Sequence, residues 1–390
     1  MKYLKIIILF LVFCNLPSYF LVKVNAAIGQ LLSYSTFLLI IVYYFLSENK
    51  KPIVPFIVFG LLFFLISIIV SAQNDDGYLV TLIKYFIVIV MGASVVSDTT
   101  KEDIYIVLLI GCLSIIFESI FIEGIGGRYR GYYINPNAAG YACILGYSLS
   151  FSINNKKLKI IGQLLFSMAG FLTFSRTFLF IWILVNLISL LINYKNVYKI
   201  LVGIVLFGLF LSFGDKLDLS TKRMHAFSGI LEGKVNDDLK EESRTETWSH
   251  YYNQILNNPI LGNGYHSFSG EIFGPEYNTY TVKNGVHNTF LMVIGEAGFF
   301  VLLYFLWIYG SFLINGIRMF HDNPVIFLVS FSLVMYMLTN HNYFENNLVL
   351  FVSMWLYIQI DLGKKVSEKK HLDLHQVKNY QVEYLNINAF

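Results

Sequence analysis

Charge is what this chain of 390 residues has least of: Asp, Glu, Lys and Arg make up 14% of it, against roughly a quarter in soluble proteins. That shortage excludes an ordinary water-soluble domain. The formal net charge of +3 is too small to call for nucleic acid, and no basic tract is interleaved with aromatic residues. Cysteine is equally scarce. Cys14, Cys112 and Cys143 all fall inside apolar runs without a CxxC spacing, so neither a disulfide framework nor a zinc site is indicated. The acidic pairs Asp75-Asp76 and Asp237-Asp238 are adjacent carboxylates of the solvated kind, and no metal site is convincing. Internal repeats and low-complexity segments are missing too.

What the chain has instead is 56% hydrophobic and 17% aromatic residues, with a mean hydropathy of +0.60. The class this predicts is an all-α polytopic integral membrane protein. At about 20 apolar residues per bilayer crossing, spans fall near 4–22, 28–46, 53–71, 78–97, 104–122, 135–153, 158–174, 176–193, 197–213, 287–312, 323–340 and 345–362. That makes about twelve transmembrane helices. The first mimics a secretory signal, with Val24-Asn25-Ala26 resembling a cleavage site. Because further apolar runs follow at once, it reads as an uncleaved signal-anchor. The lysines at 2, 5, 50, 51, 101, 156, 157, 159, 195, 199, 364, 365, 369 and 370 all fall on one side, which the positive-inside rule makes cytoplasmic. Residues 1–363 are then a single transmembrane domain, and 364–390 a polar, poorly ordered cytoplasmic tail.

On the other side lie "AQNDDG", "EGIGGRYRGYYINPN", "TFSRT", "HNYFE" and one long loop, 214–286, between spans nine and ten. A loop of that length in a compact protein is usually functional. Within it, Ser243 with Glu246 three residues on forms a capping-box pattern, and Trp248, Tyr252 and Ile255 recur at helical spacing. A short amphipathic helix lying on the membrane surface is expected, ended by Pro259 and the glycine-rich "LGNGYHSF".

Polar residues foreign to lipid gather on this outer side. Arg176 opens the eighth span, where it either serves function or snorkels to the interface. Arg244 follows the Ser243 cap, at a helix start whose dipole favours anions. A cation there makes sense if both it and the free N–H groups face an anion such as a phosphate, or else it is a solvated loop residue. Arg128 and Arg130 precede Asn135-Pro136-Asn137, in which Asn135 reads as an ordinary N-cap with proline at the first helical position. His287 and Asn288 stand at the mouth of the tenth span, where His287 is either an interfacial anchor or a base for proton transfer near neutrality. Glu296, placed nine residues on, is expected on the opposite helix face and roughly 13 Å deeper. It is therefore read as bracing a neighbouring helix, with Gly295 and Gly298 admitting a close backbone.

Taken in order, "TFSRTF", "ESRTETW" followed by "NNPILGNGYHSF", and "HNTFLMVIGEAGFF" resemble the O-antigen ligase and polymerase superfamily of bacterial cell envelopes, which includes Wzy-type polysaccharide polymerases. "RYRGYYINPNAAGY" is similar to that superfamily's arginine-glycine and proline-asparagine element, so the resemblance runs from about residue 120 to 312. It implies a GT-C-like glycosyltransferase needing neither metal nor cofactor, on the outer face of the bacterial inner membrane. Its donor would be an undecaprenyl-diphosphate-linked glycan. Arg176 and Arg244 would hold the diphosphate, helped by Arg128, Arg130 and Asn137. His287 would activate or orient the acceptor hydroxyl, with Asn288, Glu296 and Gly298 in support, and the anomeric centre would invert. A polymerase would take a second lipid-linked unit as acceptor, with a chain-length regulator as possible partner, whereas a ligase would take lipid A core. The short chain and modest outer loop favour a capsule or O-antigen polymerase. A transporter of lipid-linked sugars is the rival reading. Against it, Lys84, Glu118 and Glu296 are the clear intramembrane charges while the arginines crowd the outer rim.

Overall fold

Runs of apolar residues have no water to satisfy their backbone inside a bilayer, so each must close its own hydrogen bonds as a helix. The computed structural model describes the backbone of residues 1–70, 76–122, 127–212, 244–270 and 285–387, and among them every regular element is helical. In chain order these are α1 (Lys2–Phe13), α2 (Leu16–Lys23), α3 (Ala26–Leu46), α4 (Val54–Val70), α5 (Asp76–Phe86) and, past a π-turn at Ile87–Met91, α6 (Gly92–Ser97). There follow α7 (Lys101–Phe121), α8 (Pro136–Ser150), α9 (Lys156–Leu172), α10 (Arg176–Ile192), α11 (Val197–Ser212), α12 (Arg244–Asn257), α13 (Thr289–Arg318), α14 (Pro324–Met337) and α15 (Asn347–Ile387).

Helix occupies each of the apolar segments read from the sequence. Among the described residues, four stretches are by themselves long and apolar enough to cross a membrane: Ala26–Leu46, Gly77–Ser97, Lys101–Phe121 and Thr289–Arg318. The pair α1 and α2 makes a fifth, bent by 52°. The first segment is thus not the straight rod expected over 4–22. Its break falls at Asn15, which takes the left-handed conformation (φ 51°), and α2 packs so closely on α3 that a Cβ at Gly29 would strike the Leu21 backbone. The tail also departs from expectation, because α15 continues as helix to Ile387.

The lysine-bearing ends are tied together at one end of the bundle. Lys5 Nζ donates to the Asp98 carbonyl (2.8 Å) and to Asp103 Oδ2 (2.6 Å). The Tyr43 hydroxyl donates to Asp98 (2.7 Å), that of Tyr105 to the Leu158 carbonyl (2.9 Å), and Lys199 Nζ lies 4.1 Å from the centroid of the Phe151 ring. The ends of α1, α3, α6, α7, α9 and α11 that carry positive charge therefore share a face, as the alternation of lysine loops requires.

Helix α8 is the buried axis, enclosed by α7, α9, α10 and α14. Polar pairs fasten it where apolar contact alone gives no direction: Tyr147 donates to Asn186 of α10 (2.6 Å), and the hydroxyls of Ser148 and Ser332 of α14 meet at 3.3 Å. A second aromatic core joins α4, α13 and the turn before α15, where the Phe63 and Phe344 rings lie 4.1 Å apart. Tyr309 donates to the Tyr343 hydroxyl at 2.8 Å in the same core. The three cysteines are buried, as their apolar surroundings predict.

Candidate active site

At the end of the bundle opposite the lysines, α8 and α10 begin side by side. Asn135 caps α8, its Oδ1 accepting from the Asn137 N–H (2.8 Å), as the Asn-Pro-Asn sequence predicts. Ser175 caps α10 by accepting from the Phe178 N–H (3.3 Å), and its hydroxyl donates to Asn137 Oδ1 (2.8 Å). The two helix starts are thereby pinned to each other. Gly140 makes this possible, since a Cβ there would lie 2.9 Å from that of Phe178 and 3.2 Å from that of Ser175. Arg176 is the first residue of α10 and half-buried, and before the cap Phe174 sits in the left-handed region (φ 45°), a costly place for a bulky residue.

The "RYRG" stretch lies against this turn but divides its arginines. Arg128 Nε donates to the Thr173 carbonyl (3.0 Å), and the Tyr129 N–H to that of Leu172 (3.1 Å), so Arg128 joins the Ser175–Arg176 turn. Arg130 serves its own loop: Nη1 donates to the Ile134 carbonyl (2.6 Å). The N–H groups of Arg130 and Gly131 both donate to Glu118 Oε2 (2.6 Å each). That buried carboxylate on α7 holds the turn.

His287 is not within a helix. The span expected from 287 starts at Thr289, with Asn288 as its N-cap accepting from the N–H groups of Phe290 (2.9 Å) and Leu291 (3.2 Å). His287 precedes the cap in the left-handed conformation (φ 47°), half-buried. Its ring meets that of His341, centroids 4.7 Å apart and planes at 76°. A chain of contacts joins this arm to the arginine arm. Thr289 donates to the Asn340 carbonyl (2.6 Å), Asn340 Nδ2 to the Tyr336 hydroxyl (2.9 Å), and the Tyr336 ring stacks on Tyr141 at 4.0 Å, one turn below Asn137.

The role expected of Glu296 needs correction. His287 precedes the Asn288 cap, outside the helix, so a helical register of His287 against Glu296 does not apply, and beyond Glu296 helix α13 is broken at Gly298 (φ 83°). The Phe299 N–H, which an unbroken helix would give to the Gly295 carbonyl, goes to Pro259 (2.9 Å). The freed carbonyls of Gly295 and Glu296 accept instead from the N–H groups of Asn263 (2.7 Å) and Gly264 (3.0 Å), since backbone groups at this depth must find partners. Glu296 Oε1 accepts from the Phe268 N–H (3.2 Å). Glu296 thus braces the loop "LGNGYHSF" with its side chain, while its carbonyl also takes the Ser67 hydroxyl of the neighbouring helix α4 (3.4 Å). The close approach expected at Gly295 and Gly298 is real, but what approaches is the Phe268 ring and the Ile260 backbone.

Helix α12 starts on Arg244, as its sequence predicts, and turns Trp248, Tyr251 and Ile255 inward. Tyr251 is 1% exposed and packs on Phe268 (4.8 Å), while Tyr252 is 41% exposed. The stripe keeps Trp248 and Ile255, but Tyr251 takes the place expected for Tyr252, and it faces the protein. Ser243, Asp75, Asp237 and Asp238 lie outside the described residues, as do the side chains of Arg244 and Glu246.

Sequence reasoning missed His341. Its signal was present in "HNYFE", a histidine-asparagine pair at the mouth of an apolar segment, as at 287–288. Three of the four non-glycine residues with positive φ among those described, Phe174, His266 and His287, also belong to these segments, and such strain is characteristic of functional sites.

The class is defined by a bundle, all-helical among the described residues, in which the arginine-bearing helix start and the histidine pair are linked at one end through Thr289, Asn340, Tyr336 and Tyr141. Residues 161–306 match the family model described as O-antigen ligase. The match takes in Arg176, Arg244, His287 and Glu296, and it supports the O-antigen polymerase and ligase superfamily resembled by the motifs. The match likewise supports a function of O-antigen ligase or polymerase type. No curated protein and no solved structure matches the chain.

Proposed function

We propose that the protein transfers a glycan from undecaprenyl diphosphate to an acceptor hydroxyl on the outer face of the bacterial inner membrane, as a surface-polysaccharide polymerase. The observation that carries this reading is the paired placement of Ser-Arg-Thr. Arg176 and Arg244 each open a helix, α10 and α12, inside the segment that matches the O-antigen ligase family. A cation at a helix start is disfavoured by the dipole. An anion lying between guanidinium and N–H groups reverses the sign of that interaction.

The chemistry balances without a further reactant. The acceptor oxygen gives its proton to His287 and attacks the anomeric carbon. The bond from that carbon to the phosphate oxygen breaks, and undecaprenyl diphosphate leaves with the electron pair, inverting the centre. Negative charge grows on the leaving group, where fixed guanidinium groups are most effective. The proton on His287 then passes to solvent. In this reading the bundle crosses the membrane twelve times with the lysine end in the cytoplasm, and no metal takes part. Strains lacking the gene test polymerase against ligase: single capped repeat units on the surface mark a polymerase, and long polymer left on the lipid carrier marks a ligase using lipid A core.

A further inference from the structure

His341 stands on the turn between α14 and α15, outside the segment that matches the family model. We infer that His341 is a positioning residue for His287, an inference that rests on the transfer reaction proposed above. His287 lies in a left-handed junction before the α13 cap, so its ring is set by contacts with other segments of the chain. The ring set nearly perpendicular to it, 4.7 Å away, belongs to a residue held from several directions. On one side, Asn340 accepts from Thr289 through its carbonyl (2.6 Å) and donates to Tyr336 (2.9 Å). On the other, Tyr343 receives the Tyr309 hydrogen bond (2.8 Å) and Phe344 packs on Phe63 (4.1 Å). The imidazole edge is closed in by Gly285, where a Cβ would lie 2.5 Å from His341 Nε2. A side chain larger than hydrogen at 285 would displace that ring. The turn is therefore a rigid mount that presents one flat ring to another, and edge-to-face contact selects a single orientation of the partner.

A base held within tight angular limits keeps its nitrogen on the acceptor proton, and misplacement by about 1 Å costs on the order of 10²-fold in rate. His341→Gln should therefore lower kcat by roughly 10–100-fold. The apparent KM for the lipid-linked donor should stay within about twofold, because ground-state binding is not what His341 serves. The decisive comparison is made in the His287→Ala background. A residue acting through His287 has nothing left to position there, so adding His341→Gln should leave the residual transfer unchanged. The assay is transfer from undecaprenyl-diphosphate-linked repeat units by the purified proteins in liposomes, with donor binding measured in parallel. His341→Ala serves as a second variant in case one of them fails to reach the membrane. Equal turnover by wild type and both variants would overturn the inference, as would an undiminished effect of His341→Gln without His287. Loss of donor binding as severe as in Arg176→Ala would move His341 to the phosphate site instead. If wild type itself transfers nothing, it is the proposed reaction that fails, a result distinct from all of these.

Discussion

Two carboxylates in apolar surroundings do the same work at different places. Glu118 of α7 accepts from the N–H groups of Arg130 and Gly131, and Glu296 of α13 accepts from that of Phe268. Each side chain holds an outer loop through backbone N–H groups. The proposed site for the substrate's charge is at Arg176 and Arg244. Replacing Arg176 or Arg244 with alanine should abolish product while the protein remains in the membrane. Lysine should rescue poorly at both positions, because it lacks the planar fork that grips a phosphate. Full activity of the double lysine variant, assayed with purified protein, would show that point charge suffices. His287→Ala should lose about 10²–10⁴-fold in transfer with donor binding near wild type. The reaction needs His287 neutral. Wild-type activity should therefore fall on acidification as the imidazole becomes protonated, which a pH–rate profile at constant donor will show.

At the scale of elements, the broken helix α13 holds the site together. Gly298→Ala would put a methyl group on the Ile260 carbonyl at a φ of 83°, so the variant should lose about 1–3 kcal/mol or more. Chymotryptic cleavage of the 257–268 loop, which offers Leu261, Tyr265 and Phe268, should accelerate accordingly in the detergent-solubilised protein. Glu296→Ala should have a similar effect by leaving the Phe268 N–H without its acceptor, worth about 1–3 kcal/mol, and Glu296→Gln a smaller one because its amide oxygen still accepts. Much of this was legible in the residues. Hydropathy located the apolar helices, though not the bend between α1 and α2, Asn-Pro-Asn announced the start of α8, and Ser-Arg announced those of α10 and α12. The break at Gly298 was not legible, because hydropathy runs unbroken across it and only the loop that replaces the lost hydrogen bonds explains it. Nor did hydropathy show that His287 precedes the α13 cap, or that the Glu296 side chain turns to the Phe268 N–H. The choice between Tyr251 and Tyr252 on α12 depended on Phe268, which tertiary contact alone brings near. His341 escaped notice because it and His287 are far apart in sequence, and α13 and α14 must form before their rings meet.

For the whole molecule, the end where Lys5, Lys159 and Lys199 are tied down and the end where Arg176 and His287 stand are on opposite sides of the bundle. A membrane-impermeant thiol reagent should label an Asp237→Cys variant from outside, on spheroplasts if an outer membrane intervenes, and should not reach Lys365→Cys. The reverse pattern would invert the orientation. The central claim is glycan transfer, and the most direct measurement is made with the purified protein in liposomes containing undecaprenyl-diphosphate-linked repeat units and a metal chelator. The account predicts a ladder of products longer than one repeat with release of undecaprenyl diphosphate, absent with Arg176→Ala and reduced to a trace with His287→Ala. Donor that crosses the bilayer unchanged, or product formation that the chelator abolishes, would contradict it.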